Sequence, residues 1–223
     1  MIRSPRSSSA FTLIEMITVI AIIAIIASLI LAVNGLVQKK SAMARAEGEI
    51  RTISSALESY KTDNGGYPQG GPISNPSVTD MLDARKAPGE ATDTSPSGKM
   101  AQSSLYLYEQ LSGDTDGSGT IDSSETSKNY LPDFFKQTRL GGPKINGKVT
   151  PIQFIMDPFG NPYGYSTAGL LVEQEYRTQL ATNASSNRSV TNSKGTQGYN
   201  PTFDLWSTAG DTLGNTAKWA KNW

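Results

Sequence analysis

The sequence predicts an α+β protein: one long N-terminal helix packed on a small antiparallel β-sheet head. Three observations point there. Residues 11–33 form an almost unbroken apolar run, an amphipathic stripe continues it to Lys61, and the C-terminal two thirds offers only short strand-like segments between Gly-, Pro- and Asn-rich turns.

The apolar run, FTLIEMITVIAIIAIIASLILAV, holds one ionisable residue, Glu15. About 20 apolar residues at 1.5 Å rise cross a bilayer's hydrocarbon core, so residues 11–33 are expected to be a transmembrane helix. A carboxylate inside such a run is costly in lipid and marks a partner or a function, unless it lies at the hydrated interface. An ordinary secretory signal has a shorter apolar region with a small-residue cleavage site after it. Here the only small-residue junction, Ala10–Phe11, lies before the run. Cleavage there would put the new α-amine of Phe11 within a helical turn of Glu15, and an assembled neighbour's amine would be a second partner for that carboxylate.

The helical pattern continues beyond the run. Ile50, Ile53, Leu57 and Tyr60 recur at spacings of three and four, one apolar face, while Glu47, Glu49, Arg51 and Glu58 fall largely off it. An unbroken helix from Phe11 to Lys61 would measure roughly 75 Å. Asn34-Gly35 is its weak point, since Gly loosens a helix by roughly 1 kcal/mol. Asp63-Asn64-Gly65-Gly66-Tyr67-Pro68 then stops it, with Gly free to take positive φ and Pro unable to continue. The expected organisation is therefore 1–10 leader, 11–33 membrane and assembly helix, 34–68 amphipathic half and its turn, and 69–223 head.

In the head, residues 69–100 look like a plain loop with one helical turn around residues 79–85. Ser103–Leu111 is a short helix, and residues 149–156 are a strand followed by a turn at 157–161 and a returning strand at 162–166. Residues 169–180 form a helix, 183–200 a polar loop, and 201–210 a last strand. Between the first helix and the first strand lies DTDGSGTIDSSE, residues 114–125. Hard cations such as calcium want six to eight oxygens on a flexible loop. The side chains of Asp114, Asp116, Ser118 and Asp122, the Thr120 carbonyl and a bidentate Glu125 offer them. Gly119 falls at the sharp turn and Ile121 where EF-hand loops point an apolar residue inward, so the segment resembles an EF-hand loop.

The chain has 20 basic and 20 acidic side chains, no Cys and no His. Disulfides, thiol nucleophiles, the commonest general base and the usual zinc ligands are therefore absent, and an enzyme is not expected. Balanced charge disfavours nucleic acid as a partner.

The leader with Arg3 and Arg6, then Ala10 and Phe11-Thr12-Leu13-Ile14-Glu15-Met16, resembles the class III signal of type IV pilins and type II secretion pseudopilins. Ala10 stands where that family usually has Gly. Three further segments are similar, in the same order, to major pseudopilins: YKTDNGGYP, DPFGNPYGY and FDLWSTAGD. The resemblance implies cleavage at Ala10/Phe11 by a prepilin peptidase, methylation of the Phe11 amine, and assembly through Phe11 and Glu15. It further implies a cytoplasmic leader, an inner-membrane span and a periplasmic head polymerising with itself, alongside minor pseudopilins and an inner-membrane assembly platform. Arg3 and Arg6 before the span, against Lys39, Lys40 and Arg45 after it, slightly favour the opposite orientation by charge. The family's carboxylates beyond the last strand bind calcium, which makes Asp211 a second metal candidate. A surface type IV pilin and a non-polymerising, membrane-anchored calcium-binding module are the alternatives.

Overall fold

The computed structural model describes residues 12–223; the leader and the Ala10–Phe11 junction lie outside it, as do the side chains of residues 29–34. Helix α1 runs from Leu13 to Asn64, 52 residues, without a break at Gly35. Thr12 and Glu15 start it. The Thr12 N–H donates to Glu15 Oε2 (2.8 Å) and the Glu15 N–H to Thr12 Oγ1 (3.3 Å), a capping box that satisfies two otherwise orphaned groups. Gly65, at φ 78°, ends it by donating to the Lys61 carbonyl (2.8 Å), the stop expected from Asn-Gly-Gly.

Two compact units divide the chain, residues 1–41 and residues 42–223. In the first, the apolar side chains from Leu13 to Ile26 are exposed along the helix. Among the described residues no helix is long and apolar enough to cross a membrane. Side chains of the anticipated span are described only from Thr12 to Ser28, short of the roughly 20 residues a bilayer core requires.

The second unit is the head, and the rest of α1 is its backbone. Ile50, Ile53 and Leu57 are buried as the stripe predicts, joined by Ala46 and Ala56. They pack on Leu107 and Leu111 of α3 (Lys99–Ser112), on sheet residues Ile155, Tyr165 and Leu205, and on Tyr163 beside the sheet. Glu49 departs from expectation. Rather than lying off the stripe in water, it is 4% exposed. Its Oε1 meets Arg45 Nε (3.0 Å) and Arg139 Nε (3.1 Å), and Tyr163 donates its hydroxyl to Oε2 (2.7 Å). Two guanidinium groups and a phenol replace the water that this carboxylate gives up, as a buried charge requires.

The strands are short. β1 (Leu140–Gly141) pairs with β4 (Phe154–Ile155), and β2 (Lys144–Ile145) with β3 (Lys148–Val149) across the Asn146-Gly147 turn. β5 (Gly164–Ser166), β6 (Asp204–Ser207) and β7 (Ala220–Lys221) form a three-stranded antiparallel sheet in that order. The single strand expected over 149–156 is split, because Pro151 has no N–H for a ladder. The returning hairpin at 162–166 survives as one bridge, Met156 to Pro162; beyond it β4 turns to β1 and β5 to β6. The turn between them is as expected, with Asp157 Oδ1 accepting from the N–H groups of Phe159 (2.9 Å) and Asn161 (2.8 Å).

Residues 69–100 are not a plain loop. They carry α2 (Val78–Met81) and a 3₁₀ turn at Glu90–Thr92, and Leu82, Ala84, Ala91 and Met100 form a second core with Trp206 and Trp219. The Trp206 indole donates to the Ala91 carbonyl (3.1 Å) and its ring stacks on Trp219. After α4 (Ala168–Thr182), residues 183–200 form the polar loop the composition predicts. Buried side chains fasten it. Asp83 accepts from the N–H groups of Gln197 (2.9 Å) and Gly198 (3.2 Å), and Asp204 from those of Tyr199 (2.7 Å) and Asn200 (2.9 Å).

Burial raises the carboxyls of Asp80, Asp157 and Asp204, the last to about 6. A raised folded-state value means stability present below the unfolded carboxyl's range and lost as pH rises through the folded value. Surface carboxylates with lowered values are ionised in both states above pH 5, so they do not oppose this. The head is therefore expected to melt higher at pH 5 than at pH 7.5. Asp204 alone supplies about 1 kcal/mol of the difference, roughly 3 °C in a domain of this size. Asp204→Asn is expected to flatten that slope, read from melting curves at the two pH values; an equal slope in both proteins would refute it.

Candidate functional site

Two places in the molecule carry the features singled out in the sequence. The first is the N-terminus of α1. Ala10 and Phe11 lie outside the described residues, so the junction and the Phe11 amine have no geometry here. Glu15 does. Its carboxylate is exposed and accepts both from the Thr12 N–H and from the Thr12 hydroxyl (2.7 Å). The T-x-x-E spacing was a legible sign of this second role for Glu15.

The second is the loop after α3. Helix α3 ends at Ser112 with Gly113 at φ 86°, and Asp114 turns back under the helix. Asp114 is buried; its Oδ2 accepts from the Tyr108 hydroxyl and the Gly119 N–H (both 2.7 Å), and its Oδ1 from the Ser118 N–H (3.1 Å). Asp116 Oδ1 also accepts from the Ser118 N–H (2.9 Å). Glu125 reaches back across the loop: Oε1 accepts from the Thr115 N–H and hydroxyl, Oε2 from the Asp122 N–H (3.0 Å). One carboxylate oxygen from each of Asp114, Asp116 and Glu125 comes within 4.8 Å of the others.

The remaining members of the anticipated ligand set do not join them. Asp122 turns away to accept from the Ser124 N–H (2.8 Å) and hydroxyl. The Ser118 hydroxyl donates to the Thr120 carbonyl (3.0 Å), so these two neutral oxygens engage each other. Ile121 is 53% exposed rather than inward. In a paired EF-hand an inward residue would meet a partner loop; here no helix follows the loop, and the next regular element is a 3₁₀ turn at Gln137–Arg139. What the loop shares with an EF-hand is a leading helix and a carboxylate triad.

Its electrostatics are divided by burial. Burial pushes the Asp114 carboxyl up, with Tyr108 and Gly119 pulling the other way. Asp116 is held low first by the Ser118 N–H, and Glu125 by the Asp122 and Thr115 N–H groups. Glu109 on α3 is pushed up to about 7, by burial and then by the charges of Asp114 and Asp116. Three carboxylates with no nitrogen or sulfur donor suit a hard, oxygen-loving cation rather than a transition metal. Tyr108 and Glu109 were missed in the sequence. Their only signal was position, on the last turns of a helix that runs straight into the acidic loop.

Asp211, the second metal candidate, is differently engaged. Its Oδ1 accepts from the Leu213 N–H (3.0 Å), and its buried Oδ2 lies 3.6 Å from the Lys218 ammonium with no hydrogen bond. No other carboxylate groups with it among the described residues, and a lysine stands where a cation would be opposed.

No curated protein and no solved structure matches the chain. Residues 5–31 match the family model described as the prokaryotic N-terminal methylation motif. That motif brackets the Ala10–Phe11 junction and Glu15, and it supports the type IV pilin-like and pseudopilin family for this chain.

Proposed function

We propose that the protein is a structural, non-enzymatic subunit of a type II secretion pseudopilus. A prepilin peptidase cleaves it between Ala10 and Phe11 and methylates the new amine. Residues 11–33 then anchor it in the inner membrane, with the head in the periplasm, and neighbouring α1 helices assemble into a short fibre in contact with minor pseudopilins and the assembly platform. The methylation motif over residues 5–31 carries this reading. The exposed apolar side chains from Leu13 to Ile26 support it, since such a surface is stable only in lipid or against other helices. The segments similar to major pseudopilins favour this role over that of a surface type IV pilin. N-terminal mass measurement on membrane-extracted protein tests processing: the expected species begins at a methylated Phe11, and an intact Met1 would refute it.

Glu15 has two roles to separate, helix cap and charge partner for the Phe11 amine. Glu15→Gln keeps an acceptor for the capping box and removes the charge; Glu15→Ala removes both. Both variants are expected to insert normally and to lose most fibre cross-linking. Native cross-linking in Glu15→Gln would leave the carboxylate with the cap alone.

The triad of Asp114, Asp116 and Glu125 is the calcium site of this reading, with Ser118, Thr120 and Asp122 as further oxygens on the same loop. Hydrogen bonds from Tyr108, Thr115, Ser118 and Gly119 already hold the triad together. Calcium therefore adds stability by binding the folded loop rather than by ordering it. Extracellular sites bind with a Kd around 10⁻⁴ to 10⁻³ M, so a few millimolar calcium is worth about 1 kcal/mol. The melting temperature is expected to rise by a few degrees with calcium and much less with magnesium. The double variant Asp116→Asn with Glu125→Gln, which spares Asp114, is expected to lose the calcium response.

A further inference from the structure

A groove of about 490 Å³ lies between α1 and β7, apart from both sites described above. Glu47, Ile50, Arg51 and Ser54 line one wall, and residues 219–222 the other.

β7 is the outer strand of its sheet, pairing Trp206 with Lys221 and Ser207 with Ala220. One residue on, the Asn222 N–H donates to the Leu205 carbonyl (3.2 Å). Backbone groups of successive residues on an antiparallel strand point to opposite sides. With Ala220 and Asn222 turned to β6, the N–H and C=O of Lys221 face outward, along the groove. An edge without a strand partner is a template for another strand.

The opposite wall has its own unmet group. The hydroxyls of Thr18, Thr52, Ser59 and Thr62 on α1 each fold back on the carbonyl four residues earlier. Ser54 does not; its oxygen is buried without a hydrogen-bond partner. The indole N–H of Trp219, on the strand side, is also buried and unpartnered. Two cations flank the groove. Neither Arg51 nor Lys221 sits in an ion pair among the described residues, and Lys221 only rides over the Trp223 ring. Glu47 is the single carboxylate lining it.

We propose that this groove binds an extended, acidic peptide segment of a partner protein, which adds as a strand to the free edge of β7. Its backbone meets Lys221, a polar group meets Ser54, and its carboxylates lie against Arg51 and the Lys221 ammonium. This is strand addition, in which main-chain bonds give affinity and side chains give selectivity. It stands independently of fibre assembly.

The probe is a dye-labelled, capped hexapeptide alternating threonine and glutamate, titrated into the full-length protein in detergent and followed by anisotropy. Saturable binding that weakens with salt is expected. The same peptide N-methylated on alternate residues keeps its charges but loses edge hydrogen bonds, and is expected to bind at least tenfold more weakly. Lys221→Pro removes both the outward N–H and the ammonium at an edge position that tolerates proline, and is expected to cost more than the N-methylation does, with little change in melting temperature. Ser54→Ala is expected to cost about two- to tenfold. Should Lys221→Pro fail to fold, hydrogen exchange in the native chain replaces it: the Lys221 amide is expected to slow at least tenfold with peptide. Absence of saturable binding to millimolar peptide, equal binding of the N-methylated form, or unchanged exchange at Lys221 would each overturn the proposal.

Discussion

Buried carboxylates accepting hydrogen bonds from loop backbone are the constraint on which this head depends. Its strands are two to four residues long, so ladders satisfy little of the buried backbone. The remaining N–H groups need acceptors, because an unpaired buried donor costs as much as a lost hydrogen bond. Asp83, Asp157 and Asp204 supply them, each taking two or more donors. The Ser207 hydroxyl on β6 donates to Asp157 as well, which ties the turn after β4 to the central strand. Desolvation is the cost of this device, and it appears as the raised carboxyls of Asp157 and Asp204.

Glu49 extends the same logic to helix α1. One carboxylate draws in Arg45 from the helix, Arg139 from the segment before β1 and Tyr163 from beside β5. Removing a partner from such a group is costly, since the Glu49 carboxylate stays buried with one fewer group to compensate it. The helix thus enters the head through one charged clasp as well as through Ile50, Ile53 and Leu57. At the other end of α1 a carboxylate serves differently. Glu15 is exposed and closes the first turn through Thr12, so the residue expected to steer assembly also shapes the helix it would assemble.

The acidic loop shows how a motif can be present in spacing and incomplete in geometry. Asp114, Asp116 and Glu125 converge because Asp114 is pinned from below by Tyr108 and Glu125 from across by Thr115. Asp122 and Ser118 have local backbone and hydroxyl partners within two residues, and short polar side chains take such partners readily. What the loop retains is a preformed set of hard oxygens on the end of α3.

Local interactions determined what the sequence by itself could tell. The α1 stripe, its stop at Gly65, helices α3 and α4, and the Asp157 turn each rest on partners a few residues away, so period, cap and turn residues reveal them. The methylation motif is likewise a contiguous stretch, matched over residues 5–31. Tertiary structure alone decided the rest. Glu49 is buried because Arg139 and Tyr163 arrive from about a hundred residues downstream. Residues 69–100 fold into a second core because Trp206 and Trp219 come to cover Leu82 and Met100. The expected hairpin gave way because β4 and β5 found better partners in β1 and β6. None of these has a period or a spacing. Each is a contact between segments far apart in the chain, and its energy exists only once the chain has folded.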